Sequence, residues 1–471
     1  MSKLAKELKL SVKNSNKTVT ENGRKAFVST KNAVLDLFGM VGSSRGMDLT
    51  HKFLPALAED SELAARCLLW ARDVRGGAGE RQQFRDLFNI LASNDMNRAF
   101  QVLVKIPEVG RWDDLLAIKE PVLRRAAFDM IQTALLVDRN SLCAKWMPRK
   151  GPVAAELRNF MNLTPKQYRK IIVGLSNVVE TDMCNKNWRK IDYNKVPSLA
   201  AARYQKAFLR NDRTRYAKYV EDLSNKVSGV KINAQAVYPY DVVKSVKSGV
   251  SSAADAQWEA LPNYMGDANI LPLVDVSGSM EWSGIPGMKL SPLIIAISLG
   301  LYASSKSQGA FKDMFLTFSQ NPQLVHLKGD LSERISKMSG SEWGMNTDLM
   351  AAYRKILQHA KKCKAKQKDL PDVILVLSDM QFDDGVNKNI HAHKEMKEMF
   401  KQEGYKAPRI VYWNLNAKYD NFPVKAHTSG AALVSGFSPA IMKSVLSADL
   451  ESFDPCAIMI ETLMDSRYDL N

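Results

Sequence analysis

Three short segments of this chain carry oxygen ligands at spacings that suit a cation. The apolar run Leu271-Pro-Leu-Val274 ends in Asp275-Val-Ser277-Gly-Ser279. The segment Asn346-Thr347-Asp348 precedes a long helical stretch, and the apolar run Val373–Leu377 ends in Ser378-Asp379. One carboxylate and two hydroxyls thus leave the first strand's C-terminal end, where ligands bind in open α/β sheets. Oxygen-only donors suit a hard cation such as Mg²⁺.

The same segments are poor catalytic machinery. They contain no His, Glu or Lys that would serve as a base. Asp383-Asp384 follows Asp379 closely, as in a two-metal nuclease, but reads better as a turn before Gly385. His391 and His393 stand at i and i+2 on an expected helix, so their rings point apart and read as surface residues. Neither a GxxxxGK[ST] nor a GxGxxG segment is present, so a phosphate cradle for nucleotide hydrolysis is missing. No enzyme activity is expected.

The elements needed to position these loops begin near residue 265. Apolar strand-like runs (270–276, 373–377, 409–415, 431–434) alternate with helical ones (291–305, 331–338, 347–363, 388–403, 439–446). Residues 315–318 and 324–327 suit a hairpin-like pair. This alternation predicts a doubly wound, parallel α/β sheet. Pro272 is awkward inside a central strand and is expected near the strand's first residues, where its missing N–H costs little.

Residues 50–250 show helical periods and no convincing alternating strand. Gly76-Gly77-Ala-Gly79, Pro107, Gly110 and Pro121 separate short amphipathic segments. Such a pattern suggests stacked helical hairpins of α-solenoid type, although no clean repeat period emerges. Thr164-Pro-Lys-Gln167 has the pattern of a capped helix start.

Charge divides the 471-residue chain. Residues 1–250 hold 43 Lys and Arg against 25 Asp and Glu, while residues 251–471 hold 23 against 25. The stretch 141–250 is the most basic, with 21 against 8. Concentrated positive charge points to a polyanion. Within it, cations alternate with Trp and Tyr, a pattern suited to phosphate contact and base stacking. The candidate RNA-binding residues are Arg75, Arg81, Lys145, Arg149, Lys150, Lys166, Arg169, Lys170, Arg189, Lys190, Arg203, Lys206, Arg210, Arg213 and Arg215. Arg203, Lys206 and Arg210 share a helix face. Arg75 and Arg81 flank a glycine-rich turn that would let backbone approach a phosphate. The competing reading pairs these arginines with nearby acids and turns the aromatics inward. Five scattered cysteines without a CxxC argue against disulfides and zinc and fit a reducing cytoplasm. The longest apolar stretch is too short to span a bilayer.

Several segments carry a family resemblance. Asp275, Ser277, Ser279, Thr347 and Asp379 match, in order and spacing, the metal-ion-dependent adhesion site of von Willebrand factor A domains. The helical-then-A-domain order resembles relatives of the Ro autoantigen with their TROVE module, and most closely their plant, bacterial and phage branch. The carrying segments include Arg72-Asp-Val-Arg-Gly-Gly-Ala-Gly-Glu-Arg81, Gly110-Arg-Trp-Asp-Asp-Leu-Leu116, Lys145-Trp-Met-Pro-Arg-Lys-Gly151 and Leu163-Thr-Pro-Lys-Gln-Tyr-Arg-Lys170.

The resemblance implies a multidomain α plus α/β chain. It would comprise an N-terminal segment (1–45), a basic HEAT-like helical-repeat domain (46–250), a linker (251–264) and a Rossmann-like A domain (265–465). It implies that the hydroxyls of Ser277, Ser279 and Thr347 ligate Mg²⁺, with the two Asp acting partly through water. The cation would then accept a carboxylate from a protein partner. Ro proteins bind structured and single-stranded RNA as ribonucleoproteins, so RNA is the expected partner of the helical half. The alternative is a metal-dependent protein–protein scaffold without RNA binding.

Overall fold

The computed structural model describes residues 16–176, 178–249, 253–282, 285, 290–318, 321–341, 348–382, 392–447 and 453–470. The chain forms two units. A sheet unit holds the residues up to Asp60, Tyr238–Lys244 and Asn263–Asp465. A helical unit holds Ser61–Val237, Ser245–Pro262 and Ser466–Asn471.

In the sheet unit, β1 (Lys17–Val19) and β2 (Lys25–Phe27) form an antiparallel hairpin. Six further strands follow: β3 (Ile270–Val274), β4 (Met314–Thr317), β5 (Leu324–His326), β6 (Val373–Ser378), β7 (Arg409–Asn414) and β8 (Ala431–Ser435). Their order is β5-β4-β3-β6-β7-β8. All neighbours are parallel except β5, which runs antiparallel to β4 at the edge. The sheet is therefore mixed, and the expected hairpin supplies its antiparallel edge. The chain winds outward from β3 to β5, then returns to β6 and winds the other way. The C-terminal ends of β3 and β6 consequently lie side by side at the reversal, the position that favours a ligand site.

Composition explains the sheet. β3, β6 and β8 are buried along their whole length and read as continuous apolar runs, as parallel strands covered on both faces must. Pro272 sits in mid-strand rather than at its start. The β3–β6 ladder runs through it, whereas the β3–β4 ladder begins only at Leu273, so the proline costs pairing on the β4 side alone. The helix Pro292–Lys306, apolar nearly all round, packs on β3, β4 and β6. Gly300 permits this closeness, because a Cβ there would lie 2.6 Å from Cγ2 of Val274.

The N-terminal boundary differs from the sequence division. The helix Ala33–Val41, capped by Asn32, buries every residue from Val34 to Val41 and packs against β8 and the helix Pro455–Leu463. Phe27 and Phe422 exchange backbone hydrogen bonds of 2.9 and 2.8 Å. Residues 16–60 thus belong to the sheet unit: a helix apolar nearly all round must be covered, and this sheet edge covers it.

The helical unit contains no strand among its described residues. Its helices include Ser61–Arg72, Arg81–Asn94, Met96–Val109, Pro121–Leu136, Pro152–Phe160, Pro165–Leu175, Ser198–Asn211 and Arg213–Ser224. Contacts run mainly between near neighbours along the chain, the pattern of stacked hairpins. Thr164 caps Pro165–Leu175 with the expected capping box to Gln167. The expected linker contains a packed helix, Ala254–Glu259. Its buried Gln257 donates to the carbonyls of Ser198 and Asn233 at 3.0 and 3.2 Å.

Candidate functional site

Asp275 follows β3 directly and is fully buried, its N–H donating to the Leu377 carbonyl at 2.9 Å. Both its carboxylate oxygens are held. The Ser277 N–H donates to Oδ1 at 2.9 Å, and the Ser378 hydroxyl donates to Oδ2 at 2.5 Å. The hydroxyls of Ser277 and Ser279 lie 3.1 Å apart. Asp379 leaves the end of β6 and is also buried. Its Oδ1 accepts the Gln381 N–H at 3.2 Å. The structure therefore brings four of the expected cation ligands to one place: Asp275, Ser277, Ser279 and Asp379. Thr347 lies outside the described residues, as do Asp383, Asp384 and His391.

Burial and the neighbouring Asp379 push the Asp275 carboxyl up to about 7. Burial raises Asp379 as well, offset by the Ser279 hydroxyl and the Gln381 N–H. Two buried carboxylates side by side disfavour each other's charge. The Ser279 hydroxyl eases the Asp379 charge, yet Oδ2 of Asp379 receives no hydrogen bond of normal geometry. A cation among these oxygens would satisfy that atom and offset the paired charge, so the donor set fits a hard divalent ion. Among the described residues no cluster of three or more His, Cys, Asp or Glu occurs, so hydroxyls must be part of any such site.

Other contributors have weak sequence signals. Ser378 orients Asp275, although it stands out only as the residue before Asp379. The turn after β1 docks on the loop after Asp379: the Thr20 hydroxyl donates to the Phe382 carbonyl at 2.6 Å, and the Glu21 N–H to Oε1 of Gln381 at 2.8 Å. These contacts span some 360 residues of chain, so no local pattern announces them. His393, expected at the surface, is buried on the helix Ala392–Gln402. Its Nε2 lies 3.1 Å from the Ser429 carbonyl, and burial lowers its pKa to about 4.

In the helical unit the candidate cations separate into exposed and engaged groups. Arg203, Lys206 and Arg210 are all exposed on the helix Ser198–Asn211. Lys206 donates to the Ser248 carbonyl at 3.1 Å, and among the described residues no carboxylate pairs with Arg203 or Arg210. Arg149, Lys150, Lys166, Arg169, Lys170, Arg189, Lys190 and Arg213 are likewise exposed. Arg215 instead ties the fold together, donating to the Trp188 and Ile191 carbonyls at 3.0 and 2.9 Å and pairing with Asp212 at 2.8 Å.

The aromatics between these cations turn inward. Tyr193, Phe208 and Tyr216 are buried in one cluster, with Trp188, Tyr204 and Tyr219 packed against it. The edges of Trp188 and Tyr204 meet Phe208 at 6.5 and 6.4 Å between centroids. Tyr193, Phe208 and Tyr216 are thus committed to the core, whereas Trp188, Tyr204 and Tyr219 stay partly exposed.

The glycine turn is occupied by protein atoms. A Cβ at Gly77 would lie 1.9 Å from the Trp70 carbonyl oxygen. Asp73 accepts the N–H groups of Arg75 and Gly76 and pairs with Arg467. Arg72 is buried against Asp114 at 2.7 Å, and Arg85 joins the same carboxylate at 2.7 Å. Arg111 pairs with Asp113 and lies 3.7 Å over the Trp146 ring, with Lys145 at 5.5 Å. Arg75 and Arg81 remain exposed at the margin of this network. Burial and the charges of Arg111 and Arg72 lower the Arg81 pKa.

No helix among the described residues is long and apolar enough to cross a membrane. Residues 269–462 match a domain of unknown function, DUF7788, and residues 152–269 match another, DUF2828. The two matches meet one residue before β3 begins. Over 511 aligned positions the chain is 28% identical to "Uncharacterized protein L728" of Acanthamoeba polyphaga mimivirus, covering 95% of this chain and 87% of that protein.

Proposed function

We propose that this chain is a non-enzymatic RNA-binding protein whose helical unit grips phosphates and whose sheet unit holds a divalent cation to engage a protein partner. The observation that carries the RNA reading is the helix Ser198–Asn211. It presents Arg203, Lys206 and Arg210 to solvent while its Ala201, Gln205 and Phe208 are buried. One face is thus core and the other is cationic. With most of the aromatic surface turned inward, recognition rests mainly on backbone phosphates, which favours steep salt dependence and weak sequence preference.

The sheet unit supports a von Willebrand A-like reading through its strand order, its antiparallel edge strand and the Asp-x-Ser-x-Ser loop beside Asp379. Ser378 and the Ser277 N–H orient Asp275, while Ser277 and Ser279 direct hydroxyls to the same place. When bound, Mg²⁺ would supply an open coordination position for a partner's carboxylate.

The test is binding of fluorescent single-stranded and hairpin RNA to the full chain at low salt. Arg203→Glu/Lys206→Glu/Arg210→Glu is expected to weaken binding at least tenfold. Intact binding by this variant, or none by the wild type, overturns the RNA reading. The buried Asp275–Asp379 pair would still support a metal-dependent scaffold in the second case.

A further inference from the structure

One cavity in the helical unit has a composition that a solvated basic surface does not require. It has a volume of about 420 Å³ and lies between the segment carrying Arg149 and Lys150, the helix Pro152–Phe160 and the helix Pro165–Leu175. Arg149, Lys150, Arg158 and Arg169 line it, and no Asp or Glu does. Among the described residues none of these four pairs with a carboxylate. The nearby Glu156 is already paired with Arg124, at 2.5 Å.

The remaining wall is apolar. Pro165, Tyr168, Ile172 and Val173 recur at helical spacing on one face of Pro165–Leu175 and turn that face into the cavity. Tyr168 is buried, and its hydroxyl donates to the Pro148 carbonyl at 3.0 Å. That bond anchors the residue just before Arg149 and Lys150, so the cationic rim is tied to the apolar wall. Val173 is 51% exposed, an apolar side chain open to whatever enters.

Four cations with no carboxylate partner among the described residues, set beside an apolar wall, suit a ligand with a ring body and a multiply charged anionic end. The volume lies within the range of small-ligand pockets, roughly 300–1,000 Å³. Guanidinium groups form charge-assisted, bidentate hydrogen bonds with phosphate. We propose that this cavity is a binding site for a single nucleotide, with the phosphate held by Arg149, Lys150, Arg158 and Arg169 and the ring body against Tyr168, Ile172 and Val173. A free mononucleotide and one nucleotide of an RNA strand present the same chemistry, so the site does not depend on the surface of Ser198–Asn211.

Calorimetry on the full chain with AMP, adenosine and inorganic phosphate tests this, alongside anisotropy with a short single-stranded RNA. AMP is expected to bind saturably, and at least tenfold more tightly than adenosine. Arg149→Ala/Arg169→Ala is expected to weaken AMP about tenfold or more, the loss of charge-assisted hydrogen bonds. Val173→Phe keeps every charge and fills the apolar side. It is expected to weaken AMP while leaving phosphate binding unchanged. If AMP fails to bind but both variants weaken RNA at least fivefold while Arg203→Glu retains the cavity's contribution, the source is a strand nucleotide. If neither AMP nor RNA responds to the two variants, with circular dichroism unchanged, the proposal is overturned.

Discussion

The cationic face of Ser198–Asn211 makes a quantitative demand on RNA binding. On single strands, each neutralised phosphate contributes about −0.7 to the slope of log K against log salt. Arg210 lies seven positions after Arg203, so Arg203, Lys206 and Arg210 spread over about 10 Å of helix axis at ~1.5 Å per residue, enough for each to meet its own phosphate. Replacing all three with Ala should therefore make the slope shallower by about 2. Between 50 and 200 mM salt, one contact changes affinity by a factor of ~2.6 and three by roughly 20. Wild-type affinity should fall about 20-fold more than the variant's over that range. Anisotropy with a fluorescent single-stranded RNA at four or five salt concentrations measures both slopes. Lys206 also donates to the Ser248 carbonyl, so melting by circular dichroism must show that the triple variant remains folded. Parallel slopes for a folded variant would refute the assignment of phosphate contact to this face.

Three other predictions concern the sheet unit and the buried ion network. Mg²⁺ at 100 times its Kd should stabilise the sheet unit by about 2.7 kcal/mol, read as a rise in melting temperature that EDTA reverses. Asp275→Ala should abolish that increment, and an equal rise in the variant would remove the site from this loop. Asp114→Asn leaves Arg72 and Arg85 facing one another without their shared carboxylate, which is wholly buried. It should cost the helical unit about 3–5 kcal/mol in urea unfolding, whereas Glu156→Gln, at an exposed pair, should cost under about 1 kcal/mol. His393 takes up a proton more readily unfolded than folded, because burial lowers its pKa to about 4. Its contribution therefore erodes stability as pH falls from the unfolded value near 6.5 towards 4, by about 2 kcal/mol at pH 5. His393→Gln should lose less stability than wild type between pH 8 and pH 5. Asp275 shifts in the opposite direction, so the difference between the two proteins is the readout.

What could be read from the residues depended on whether the responsible interactions were local. The strands β3, β6, β7 and β8 announce themselves as apolar runs, and the capping box at Thr164 lies within four residues. The grouping of the loop proposed to hold a cation was legible for the same reason: Asp275, Ser277 and Ser279 are close in sequence, and the apolar runs before Asp275 and Asp379 imply neighbouring strands. The N-terminal hairpin was not legible. Its strands are three residues each, and they are fixed by bonds to Phe422 and to the loop after Asp379. Ser378 was visible as a residue and invisible as a positioning group, because its partner Asp275 lies 103 residues away.

The basic stretch was legible only in part. Its aromatics and cations interleave in one dimension, which looks like a surface built for both stacking and charge. A helix places residues three or four apart on one face and their intervening neighbours on another. Tyr204 and Phe208 therefore share the buried side of Ser198–Asn211 while Arg203, Lys206 and Arg210 occupy the solvent side. The same interleaving that suggested stacking is what places the two chemistries on different faces of this helix. Where the cations do meet an apolar wall, at Arg149, Lys150, Arg158 and Arg169, they come from three different chain segments. That juxtaposition has no signature in residue spacing, and it is where a nucleotide's ring and phosphate can both be satisfied.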